Sequence, residues 1–136
     1  MRDLANHISL KRAISPVSVA DNTAVVSQII DLSGYDKAVF GILIGSIADA
    51  DATFAVLLQH GNQPNLSDAA DVPDSQLIGT EAAAGFKFDN DDQTRKIGYV
   101  GPKQYVRLTI TPTGNASAAL IAAVAILSGS RYSPAA

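Results

Sequence analysis

Two histidines, a run of carboxylates and scattered serines are the residues of this sequence that could do chemistry. His7 and His60 stand far apart, and neither has an H-x-H or H-x-x-H companion. A transition-metal site built on strands needs several neutral imidazole nitrogens converging, and two isolated histidines do not compose one. His60 closes a strand pattern just before Gly61-Asn62, which predicts a surface turn position. The stretch "DNDD", Asp89 to Asp92, offers the hard oxygens that calcium takes. It lacks the spacing and bidentate glutamate of an EF-hand loop, and it equally suits a hairpin turn whose Asp and Asn side chains bond their own backbone. "DAD", Asp49 to Asp51, is a weaker version whose crowded carboxylates would also discourage edge pairing of strands. A nucleophilic serine needs a base and an orienting acid. No G-x-S-x-G occurs, and "GYVGP", Gly98 to Pro102, lacks the lysine and following helix of a phosphate loop. The chain is therefore read as non-enzymatic, with no metal and no cofactor.

The elements that would position such residues are β-strands. The chain has 136 residues, 47% of them hydrophobic, so it favours one domain with a core of its own. Cysteine is absent, which removes disulfides and thiolate chemistry. The start "MRDLANHISLKRAISP" has no apolar h-region, so no signal peptide is read. The longest apolar run, "AALIAAVAIL" from Ala118 to Leu127, is too short for a membrane-spanning helix, so no membrane partner is expected. The net charge of −3 speaks against nucleic acid. Nine acids and one base lie between Gly45 and Asp92, whereas five bases and no acid follow from Gln93 onward. Such asymmetry can build complementary faces, unless strands from both halves interleave and mix the fields.

Along the chain, Ile8 to Ile14 alternates as an edge strand or arm, and Pro16 is expected to interrupt its ladder. "TAVVSQIIDLS", "KAVFGILIGSI" (Lys37 to Ile47) and "ATFAVLLQHG" (Ala52 to Gly61) are β-rich. "NQPNLSDAADVPDSQ" reads as a long surface loop in which Ser67 caps one helical turn that Pro73 stops. "QLIGT" and "GFKF" are short strand candidates, followed by Arg95 to Val100, Gln104 to Thr111 and Ala119 to Ser128. In Gln104 to Thr111, Tyr105, Arg107, Thr109 and Thr111 share one face and Val106, Leu108 and Ile110 the other. Most of the aromatics fall at alternating strand positions and are assigned to core packing. The whole is all-β, a two-sheet β-sandwich and best a jelly roll of about eight strands, with no long helix. Residues 1–20 are read as an N-terminal arm and first strand, 21–129 as the sandwich and 130–136 as a tail.

The segments "DNTAVVSQIIDLSGYDKAVFGILIGSIADADATFAVLLQHG", "LIGTEAAAGF" and "TRKIGYVGPKQYVRLTITPTGN…AALIAAVAILSG" resemble small proteins encoded beside the major capsid gene of tailed bacteriophages, some of them jelly-roll decoration, or cementing, proteins. The resemblance covers about Asp21 to Gly129. It implies a structural virion protein, synthesised in the bacterial host cytoplasm, on the outside of an HK97-type capsid, stabilising contacts between capsomers. The partners it implies are the major capsid protein and further copies of the chain, and a homodimer is expected, with a trimer as the alternative. A tail or head–tail connection component, and a carbohydrate-binding jelly-roll module, are the competing readings. From the residues themselves, Arg2, His7, Lys11 and Arg12 of the arm and Arg131 and Tyr132 of the tail are the expected capsid or subunit contacts. The polar stripe carrying Tyr105 and Arg107 faces either solvent or a partner.

Overall fold

A computed structural model describes residues 3–129. Eleven strands run in chain order: β1 (Ile8–Val19), β2 (Val25–Val26), β3 (Ile30–Asp31), β4 (Lys37–Ile47), β5 (Thr53–Gly61), β6 (Ala70–Asp71), β7 (Leu77–Ile78), β8 (Phe86–Lys87), β9 (Thr94–Tyr99), β10 (Tyr105–Thr113) and β11 (Ala119–Ser128). The one α-helix among the described residues, α1, spans Glu81–Ala84 and is a single turn capped by the Thr80 side chain. All the pairings are antiparallel and form two sheets. One sheet has the order β1-β11-β4-β9-β7; in the other, β10 and β5 form the centre, with β2 and β3 on one side and β6 and β8 on the other. Taken as eight strands, with β2 and β3 one broken strand, β6 and β8 another, and short β7 an addition at the edge of the first sheet, the first sheet holds the first, eighth, third and sixth strands. The second holds the second, seventh, fourth and fifth. That interleaving is the jelly roll the sequence predicts.

Alternation explains why these segments face each other. Phe40, Ile42, Ile97 and Leu127 of the first sheet point inward and are fully buried against Leu58, Val106, Leu108 and Ile110 of the second. Phe54 and Phe86, on paired strands, stack with centroids 4.7 Å apart. Tyr99 is buried as well, whereas Phe88 is an exposed exception to the core assignment of the aromatics.

Two local expectations need correcting. Pro16 does not end β1: the strand passes through it with register shifts at Arg12/Ile14 and Ile14/Val17, because a bulge absorbs the missing donor at a sheet edge. No helical turn follows Ser67. Ala70 and Asp71 instead pair with His60 and Gln59, since the β5 edge offers unpaired backbone groups that a local helix would waste. The turn that does form is α1, where Thr80 supplies the capping oxygen to Ala83 N–H at 2.9 Å. α1 also completes the broken fifth strand. Between β6 and β8 the β5 edge is open, and the Glu81 carboxylate accepts from Leu58 N–H there at 2.8 Å.

Candidate interaction surface

The residues singled out for chemistry have structural roles. His60 is buried, not a surface turn residue. Its position in β5 pairs with Val106 of β10, which carries it under the loop after Tyr99. Its Nδ1 lies 2.7 Å from the Tyr99 hydroxyl, whose oxygen accepts from Lys103 N–H at 3.1 Å. The hydroxyl oxygen keeps a second lone pair, so the shared proton sits on the Tyr99 hydroxyl or on His60 Nδ1 according to the ring tautomer, and either way the two side chains are joined. Burial lowers the His60 pKa from its usual value, and the Lys103 charge adds to this against a weaker opposing pull from Asp68. Burial raises that of Tyr99.

The carboxylates tie loops together. Asp49 accepts from Asp51 N–H at 2.9 Å and Ala116 N–H at 2.8 Å, which holds its carboxyl below the usual range. Asp91 accepts from Ile47 N–H at 3.1 Å, and Asn90 accepts from Lys87 N–H at 2.9 Å within the "DNDD" turn. Asp68 caps the loop after β5 through Asn62 N–H and Gln63 N–H. Among the described residues no cluster of three or more His, Asp or Glu is arranged to hold a metal ion.

The expected contact residues separate. Arg2, Arg131 and Tyr132 lie outside the described residues. His7 precedes β1, and its carbonyl accepts from the Ser128 hydroxyl at 3.1 Å. Lys11 and Arg12 sit on β1 on opposite faces, since Lys11 pairs with inward Ala125 and Arg12 with outward Val124. Tyr105 and Arg107 lie on the other sheet. Arg107 is held by the Gln59 side chain at 2.8 and 3.0 Å, and Gln59 in turn donates to Asp71 at 3.2 Å. Lys11 and Tyr105 approach one another only through Asp31. Burial pushes the Asp31 carboxyl up, but Ser33 N–H, the Gln104 amide and the Lys11 charge together hold it below the usual range. Gln104 also donates to the Tyr105 hydroxyl at 3.2 Å.

The feature that residue-by-residue reading missed is the outer face of the five-stranded sheet. One row of neighbours crosses all five strands as Leu10, Ile126, Val39, Gly98 and Ile78, every member apolar. Leu10 is 62% exposed and Ile78 64%. The next row runs Arg12, Val124, Gly41 and Lys96, and the one beyond it Ala122, Leu43 and Thr94, with Leu43 54% exposed. Gly98 lets Ile78 lie across the strand, because a Cβ there would stand 3.0 Å from the Cβ of Ile78. The signal was in the sequence: "KAVFGILIGSI" and "AALIAAVAIL" are apolar on both alternating sets, as strands covered on both faces are. A monomer in water rarely leaves such an area bare. The outer face of the other sheet is mixed: Tyr105, Arg107, Thr109 and Thr111 of β10 lie beside Gln59, Leu57 and Ala55 of β5, and exposed Val26 pairs with Thr109. The strand order defines the class: a jelly roll, one of whose sheets has a mainly apolar outer face.

No protein-family model matches the chain, and no curated protein matches it. Solved structures do. A chain of the infectious bursal disease virus VP2 subviral particle matches with a TM-score of 0.59 at 9% identity, over 93% of this chain and 33% of that one. A chain of the capsid of Ralstonia phage GP4 matches with a TM-score of 0.54 at 9% identity, over 97% of this chain and 90% of that one. A Clostridium thermocellum xylanase 10B chain with CBM22-1 and GH10 modules matches with a TM-score of 0.54 at 12% identity, over 89% of this chain and 24% of that one. The chain thus spans about a third of the viral chain and less of the xylanase, but nearly the whole of the phage one. At such identities the likeness establishes the fold, one that viral and phage capsid chains share.

Proposed function

We propose that this chain is a structural virion protein that sits on the outer surface of an HK97-type phage capsid, binds the major capsid protein and cements contacts between capsomers. The observation that carries the reading is the apolar outer face of the five-stranded sheet, on a jelly roll whose buried histidine and carboxylates are spent on holding loops. A protein that stiffens a lattice needs a rigid scaffold and a broad docking face, and many equivalent copies strengthen a shell even when each contact is modest. The fold shared with the Ralstonia phage GP4 capsid chain, at nearly the same length, supports the reading. The carbohydrate-binding alternative wants a row of exposed aromatics, and the outer face of the other sheet presents only half-buried Tyr105 along its paired strands β5 and β10.

Quantitative mass spectrometry of purified virions tests the proposal. A copy number comparable to the major capsid protein is the expected result. A handful of copies per particle would move the chain to the tail or neck, and its absence from virions would overturn a structural role.

A further inference from the structure

We infer that the outer face of the five-stranded sheet is the surface that seats on the shell, and that the site it fits is an apolar patch bordered on two sides by carboxylates. The inference rests on the virion reading. Its first support is size. Five strands at about 4.8 Å spacing and about 30 Å of length along the longer strands give roughly 700 Å², near the ~800 Å² per partner of a standard interface.

Charge chooses the partner. The five strands of this sheet carry Lys11, Arg12, Lys37, Arg95 and Lys96 and no Asp or Glu. Of these, Arg12, Lys37 and Lys96 belong to the outward set, whereas Lys11 and Arg95 stand opposite inward Ala125 and Ile42, so the strands give the outer face three cations and no acid on a chain of net charge −3. On the outer face, Arg12 and Lys96 end one row with Val124 and Gly41 between them, three strand spacings or about 14 Å apart. Among the described residues neither cation has an ion-pair partner. Two carboxylates at that separation, flanking an apolar strip, would satisfy both.

A second copy fits less well. A twofold axis along the strands, through the middle of that row, sets Arg12 against the partner copy's Lys96, and an axis along the row sets each cation over itself. Either arrangement buries like charges in a drying seam. Edge pairing through β1 is no route to a second copy either, because the register shifts and Pro16 break its free edge and Gln28 N–H already occupies its Ala13 carbonyl at 2.9 Å. The opposite sheet has satisfied its own polar row through Arg107, Gln59 and Asp71.

The test is cosedimentation with empty shells assembled from the major capsid protein of the same phage genome. The unaltered chain should bind saturably and release as salt rises. Leu43→Asp, and separately Arg12→Glu with Lys96→Glu, should each weaken binding by at least about tenfold, while Thr111→Asp on the other sheet should not. All four sites are exposed, and unchanged circular dichroism and melting keep loss of fold out of the comparison. Full binding by both face variants would sink the inference and leave the virion reading intact. Loss with Leu43→Asp but not with the charge reversals would overturn the carboxylate border. Failure of the unaltered chain to bind shells would overturn both. A dimer in sedimentation velocity that Leu43→Asp dissolves would show that a second copy is the true occupant.

Discussion

Nδ1 of His60 and the Tyr99 hydroxyl share a hydrogen bond at 2.7 Å, and this contact welds the end of β5 to the turn that follows β9. Because the folded ring resists protonation, the sign of its pH effect follows. Its pKa is lowered in the fold, so below about 6.5 the unfolded chain binds a proton that the folded chain refuses. Stability from this group is complete above about pH 6.5 and falls as pH drops toward the lower folded value. Thermal melts between about pH 7.5 and about pH 5, above the carboxylate range, should show this decline, and His60→Gln should flatten it. A slope unchanged in His60→Gln would assign it to other groups. Tyr99→Phe, which strands Nδ1 and Lys103 N–H, should cost about 1–3 kcal/mol.

Glu81 reaches from a single helical turn to the open edge of β5. Glu81→Ala leaves Leu58 N–H without its acceptor and should cost about 1–3 kcal/mol in urea unfolding. Glu81→Gln keeps an oxygen in place and should retain most of that stability. Equal losses in the two would point to the charge rather than to the hydrogen bond.

Phe40 and Leu10 lie on opposite faces of one sheet. Phe40 is fully enclosed, and Phe40→Ala should cost about 3–5 kcal/mol. Leu10→Ala, on the outer face, should stay within about 0.5 kcal/mol for the isolated chain. A large loss at Leu10 would mean that the outer face is already covered in solution.

The amino-terminal residues divide at Ile8. Residues Ile8 to Arg12 pair with Ser128 to Val124, so removing residues 1–12 strips one side of β11 and should lower the melting temperature clearly. Removing residues 1–6 leaves the ladder whole and should leave melting unchanged. The shorter truncation is therefore the one that isolates an arm contact with a shell from simple loss of fold.

Local alternation was sufficient to identify β4, β5, β10 and β11 and the division of β10 into a buried set, Val106, Leu108 and Ile110, and an outward set. A period-two pattern is a property of the strand itself and needs no partner to be read. The same regularity, with turn signals at strand spacing, indicated the jelly roll. Other features arise between segments distant in sequence. Pro16 could be kept inside β1 because β11 tolerates the bulges. His60 became buried because Tyr99, 39 residues away, supplied a hydrogen-bond partner to its ring. The acidic and basic stretches of the chain do interleave, β10 pairing with β5 and β9 with β7, yet Lys11, Arg12, Lys37, Arg95 and Lys96 all fall on β1, β4 and β9 of one sheet, whose strands carry no acid. Sequence determined which residues alternate. Tertiary pairing decided which of the two alternating sets would be left uncovered, because burial and charge at a sheet face are summed across neighbouring strands and not along one.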